Sequence, residues 1–145
     1  MKFIIIPLIV VIVNDIIKYI FVYWRRQKIL GNRFLWAFWW AGSFPSAHTA
    51  LITSAAFLVV HSYGLDNAIS AFAIFSTLIV IYNVLEQNKH EEIFESYIAK
   101  DSDKALLKLV KDKILLNFTG HTFPEVFVGV LEGIFITAWL LQFFP

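Results

Sequence analysis

Gly42-Ser43-Phe44-Pro45-Ser46-Ala47-His48-Thr49 is a short polar turn set between two strongly apolar regions of the chain. Pro45 cannot continue a preceding helix and suits an extended or turn conformation. Ser46 is a good N-cap for a helix running through Ala47, His48 and Thr49 into Leu51 and Ile52. The first turn of a helix offers unpaired backbone N–H groups and the positive end of the dipole, so it can receive an anion. A histidine in that turn, beside a serine, is placed to meet a phosphate. The same octet also suits a capped membrane helix whose histidine only faces headgroups.

The surroundings of the turn decide the fold class. Of 145 residues, 59% are apolar, 17% aromatic and only 16% charged, and the mean hydropathy is +0.69. This balance is wrong for a soluble domain and right for a single all-α, integral membrane bundle. A net charge of +1 gives no global field for nucleic acid. The lack of cysteine excludes disulfides, thiolate metal sites and a cysteine nucleophile.

Four spans are predicted, at about 3–24, 47–63, 67–85 and 123–144. Met1-Lys2 and the apolar run after it resemble a signal peptide, but the run passes Asn14 and Asp15 to Trp24 without a small-residue cleavage site. It reads as a retained first helix. Asp15 and Lys18, three apart, can neutralise one another on one face. Ionisable groups at membrane depth are functional candidates, although Lys18 is near enough to the end to snorkel. Arg25 follows two turns later on the face of Lys18. The basic-aromatic segment Arg25–Trp40 suits the interface. In the second span Ala47, Ala50 and Ser54 form a small-residue stripe, and Gly64 is the expected C-cap. Glu86–Asn117 is the strongly charged region, within which Ser102–Asn117 has the spacing of an amphipathic surface helix. The fourth span opens with Gly120-His121-Thr122-Phe123-Pro124-Glu125. Thr122 and Glu125 have capping-box spacing, Pro124 fits the first turn, and Gly129 and Gly133 give a GxxxG face. Glu132 lies seven residues after Glu125 and points the same way.

Four crossings put both termini on one side of the membrane and the Arg25–Ser46 and Glu86–Thr122 loops on the other. Those two loops hold ten of the twelve Lys and Arg residues, so the positive-inside rule places them in the cytoplasm. Lys18 and Arg25, Ser46 and His48, and His121 and Glu125 then converge at one membrane face. Cations and helix N-termini bind an anion, and histidines supply nucleophilic and acid chemistry. The combination suits a phosphate monoester or diphosphate on a lipid.

These residues resemble the motifs of the type 2 phosphatidic acid phosphatase superfamily, which includes the vanadium haloperoxidases, and more narrowly its small divergent bacterial branch. Lys18, six residues, then Arg25 is similar to the first motif, with Arg26 where a proline is usual. Phe44-Pro45-Ser46-Ala47-His48 resembles the second. Gly120-His121-Thr122-Phe123-Pro124-Glu125-Val126, with Gly129 and Gly133 beyond it, resembles the divergent branch's third motif. The likeness covers Lys18 to about Gly133.

The resemblance implies phosphate ester hydrolysis without a metal or other cofactor. His121 would be the nucleophile and form a phosphohistidine. Glu125 would stand for the family's aspartate and orient that imidazole, and His48 would protonate the leaving oxygen. Lys18, Arg25 and Ser46 would hold the phosphate oxygens. The substrate would be a phospholipid or isoprenoid phosphate in the membrane. The family's arginine six residues before the nucleophile is Leu115 here. The branch's Tyr-Asp stretch and the paired arginines after it are Tyr82-Asn83 and Asn88-Lys89 here; Asn83 and Asn88 lack those charges, which leaves Lys89, Lys111 or Lys113 as substitutes. Glu125 also has a purely structural explanation as a capping residue. A catalytically silent protein that binds or moves a phospholipid headgroup is the alternative. Four spans are fewer than the six-helix family core, so a homodimer completing the fold through Gly129 and Gly133 is a further expectation.

Overall fold

A computed structural model describes residues 1–24, 44–98 and 120–144. Among the described residues there are four α-helices and no strand: α1 (Lys2–Trp24), α2 (Ala47–Tyr63), α3 (Ala68–Ile98) and α4 (Phe123–Leu140). The expected Arg25–Trp40 interfacial segment and the Ser102–Asn117 amphipathic helix lie outside the described residues.

The protein is an all-α membrane bundle. Helices α1, α3 and α4 are each long and apolar enough to cross a membrane. Helix α2 has 17 residues, about 26 Å of rise, and is the shortest of the four expected crossings. It lies among the other three and packs against all of them. Large apolar side chains such as Phe72, Phe75 and Ile79 on α3 stay exposed. That is the pattern of a small bundle whose outer face meets hydrocarbon instead of water.

The ends of the helices define two poles. At one, Ile6 of α1, Leu58 of α2 and Leu140 of α4 form the apolar cluster, with Ile9, Ile136, Leu141 and Phe144 against it. Phe3 stacks on Tyr63 at the same end, with ring centroids 6.0 Å apart. At the other, Phe21 of α1 meets Phe44 just before α2, at 5.0 Å. So α1 runs antiparallel to α2 and α4, while α2 and α4 start at the same pole.

Small residues let α2 and α4 meet backbone to backbone. A Cβ on Gly129 would overlap Thr49 Oγ1 and the Ser46 carbonyl, and one on Gly133 would sit 2.6 Å from the Ala50 carbonyl oxygen. Ser54 and Thr137 hydroxyls bond across the same interface at 2.6 Å. The two glycines expected at a homodimer contact are therefore used inside the chain, against the small-residue stripe of α2. Gly120 does the same for α3: a Cβ there would overlap the backbone at Gln87 and Asn88.

Three local expectations met different outcomes. Gly64 does end α2, with φ +79° and its N–H on the Val60 carbonyl at 2.9 Å. Helix α3 continues past Leu85, the expected limit of the third span, to Ile98. No glycine or proline interrupts it, and Glu, Gln and Lys are good helix formers, so the charged stretch prolongs the helix. Helix α4 ends at Leu140, in a turn, four residues before the expected limit of the fourth span.

Candidate functional site

The polar pole gathers residues from three helices. His48 lies in the first turn of α2 and His121 two residues before α4. Their ring centroids are 5.9 Å apart and the planes are inclined by 56°. His48 is exposed, whereas His121 is only 2% exposed. Lys18 comes from the last turns of α1 and is close enough for its charge to act on both rings.

Local backbone contacts fix this arrangement. The His121 N–H donates to the Val84 carbonyl at 3.3 Å, tying the start of α4 to α3. The Ser46 N–H donates to the Glu125 carbonyl at 3.1 Å, tying the start of α2 to α4. Thr49 Oγ1 donates to the Ser46 carbonyl at 3.0 Å and approaches that of Val126 at 3.4 Å. Phe44–Pro45 is a cis peptide.

Glu125 makes two contacts through one oxygen. Its Oε2 accepts the Thr122 backbone N–H at 2.8 Å, half of a capping box. The same oxygen lies 3.3 Å from His121 Nδ1. A carboxylate only accepts, so Nδ1 carries the proton and donates, which leaves Nε2 with its lone pair. Burial pushes the His121 imidazole below its ordinary 6.5; the Glu125 carboxylate works against that shift, and the Lys18 charge adds to it. The ring is therefore held in its neutral form at neutral pH.

Ser46 occupies the N-cap position of α2 with extended backbone, φ −76° and ψ 113°, but its side chain makes no cap hydrogen bond. This corrects the expectation that its hydroxyl caps the helix. The backbone ties just described already hold the turn, and Oγ is left buried without a partner. A buried, unpaired hydroxyl at a helix N-terminus has an O–H free to donate to an anion.

Not every candidate joins this group. Lys89 is exposed on α3, next to Asn88 where Gly120 packs, and it is not among the charges acting on either histidine. Arg25, Leu115, Lys111 and Lys113 lie outside the described residues. Among the described residues, no group of three or more His, Asp or Glu side chains is arranged to hold a metal ion.

A contact that the sequence reading missed lies deeper. Asn14 Nδ2 donates to Glu132 Oε2 at 2.6 Å, and both side chains are buried. The negative fields of Asp15, Glu132 and Glu125 all reach Lys18. The available signal was the seven-residue spacing of Glu125 and Glu132, which puts two carboxylates on one face of α4; the partner on α1 could not be read from spacing.

Two comparisons relate the chain to known proteins. The model of the Divergent PAP2 family matches residues 1–136. An uncharacterized membrane protein of Bacillus subtilis (strain 168), YuiD, is 32% identical over 116 residues, covering 71% of this chain and 73% of that protein. No solved structure matches the chain at a significant level.

Proposed function

The chain belongs to the Divergent PAP2 family, and from that premise we propose that it is a membrane-embedded phosphatase of lipid phosphates or isoprenoid diphosphates, working through a phosphohistidine without a metal. The observation that carries this reading is the pair of imidazoles 5.9 Å apart, one oriented by a carboxylate, beside a lysine and an unpartnered serine hydroxyl.

The chemistry follows from the tautomer. His121 Nε2 attacks phosphorus, the bond to the leaving oxygen breaks, and His48 gives that oxygen its proton. Glu125 accepts the Nδ1–H and stabilises the positive charge that develops on the ring. Lys18, Ser46 Oγ and the N–H groups at the start of α2 would hold the non-bridging oxygens, with Arg25 as a further candidate. Water then attacks the phosphohistidine, inorganic phosphate leaves, and the histidines regain their starting protonation. The protein would reside in the plasma membrane with this pole in the cytoplasm.

Purified protein in detergent micelles should release phosphate from phosphatidic acid or an isoprenoid diphosphate with chelator present, and vanadate should inhibit. Turnover that survives in His121→Ala rules the mechanism out. Two observations favour a second reading, the silent headgroup binder: the family arginine position is Leu115, and His121 is 2% exposed. That reading expects lipid binding without turnover, insensitive to His121→Ala and weakened by Lys18→Ala.

A further inference from the structure

The Asn14–Glu132 pair is not used by the mechanism above, and its buried atoms do not balance. Glu132 is 9% exposed and Asn14 0% exposed. Glu132 Oε2 receives the Asn14 amide, while Glu132 Oε1 and Asn14 Oδ1 have no partner. Two neighbouring acceptors without a donor are costly in a bundle interior. The burial leaves little room for any ligand larger than a proton, and Oε1 is the free oxygen that would carry it.

The charges facing the pair are few. Helix α1 contributes Asp15 and Lys18, of which only Lys18 opposes the carboxylate. Helix α2 packs along Gly129 and Gly133 with Thr49, Ala50, Thr53 and Ser54, none of them charged; its His48 lies at the pole. Helix α3 meets the start of α4 at Val84 and Asn88, and its Glu86 and Lys89 are not among the charges acting on Glu132. Glu125 lies two turns away along α4, about 10 Å. Lys18 is thus the shared countercharge of Glu132 and of any anion held between the histidines.

We propose that Glu132 is a buried proton-binding site, loaded when a phosphate-like dianion engages Lys18. This inference rests on the phosphate-site reading. With the anion absent, the lysine's charge balances the Glu132 carboxylate. With the anion present, that charge is drawn to it, and Oε1 takes a proton from a buffer acid, forming an O–H bond and leaving the conjugate base in solution. By linkage, a proton bound with the anion makes binding tighter as pH falls.

The test is tungstate binding to the full chain in detergent, followed by calorimetry and by infrared difference spectroscopy. Tungstate is a phosphate-shaped dianion that carries no proton near neutrality. Wild type should take up about one proton per anion at this site and show a new protonated-carboxyl stretch. In Glu132→Gln that band should vanish while tungstate still binds. Asn14→Leu, which keeps the volume and removes the amide donor, should shift the band, and it serves if the first variant fails to fold. Tungstate binding with no new carboxyl band, or with a band unchanged in Glu132→Gln, overturns the proton site and leaves the phosphate-site reading standing. If wild type gives no binding heat for tungstate, the phosphate-site reading fails and this inference with it.

Discussion

Glu125 shows how one side chain can both cap a helix and hold a neighbouring imidazole. Its Oε2 holds the Thr122 N–H and the His121 Nδ1–H together, so the helix start and the imidazole tautomer share one anchor. Glu125→Gln keeps a carbonyl acceptor but loses the charge. Phosphate release should fall by about 10²-fold or more, while the cap survives. The pH dependence has a definite sign. Burial, the largest cause, already holds His121 below 6.5, and Glu125 pulls it back up. The acid limb of kcat/KM in wild type should therefore lie below 6.5, and in Glu125→Gln it should move lower still. A limb that moves upward contradicts the assignment of His121 as nucleophile. The His48 role has its own test: His48→Ala should be rescued by a p-nitrophenyl phosphate, whose leaving group needs no proton, and His121→Ala should not. These residues were legible from the sequence because they sit at helix starts or at helical spacing within short motifs. The Asn14–Glu132 bond was not, because its partners are 118 positions apart and only packing of α1 on α4 joins them.

Helices α2 and α4 start at the same pole, and their starts carry both histidines, so their close approach sets the gap between the rings. That approach depends on Gly129 and Gly133, where a Cβ would strike Thr49, the Ser46 carbonyl and the Ala50 carbonyl. Gly129→Val should cost about 2 kcal/mol through overpacking and spread the two rings. Thermal unfolding in detergent, together with a fall in phosphate release larger than the loss of folded protein, would register both effects. The small-residue patterns on both helices were readable in advance; that they face each other within one chain, and not across a dimer, was not. The length of α3 was misread for a different reason. Its charged second half reads as a departure from the membrane, but charge does not end a helix that has no breaker. Gly120 uses that extension by packing on the Gln87–Asn88 backbone, so Gly120→Ala should also displace His121 and lower turnover, although it removes no functional group.

The bundle as a whole is polarised along its axis. Ile6, Leu58 and Leu140 close one end, whereas Lys18, Ser46, His48, His121 and Glu125 occupy the other, with Asn14, Glu132, Ser54 and Thr137 between. A membrane protein was legible from composition, the helices from their spans and caps, and the gathering of Lys18, Ser46, His48, His121 and Glu125 at one pole from counting crossings. Which side of the membrane that pole faces depends on the charge argument: ten of twelve Lys and Arg residues fall within residues 25–46 and 86–122 of the sequence. The cysteine-free sequence makes the orientation directly measurable. Ser62, in the last turn of α2, is exposed at the apolar pole, and Ser96, near the end of α3, is exposed at the polar one. In intact cells a membrane-impermeant maleimide should label Ser62→Cys, and should reach Ser96→Cys only after lysis. Such a result confines the proposed phosphatase to lipid phosphates of the cytoplasmic leaflet. The reverse labelling pattern would direct the same pocket to the outer leaflet and contradict the charge-based orientation.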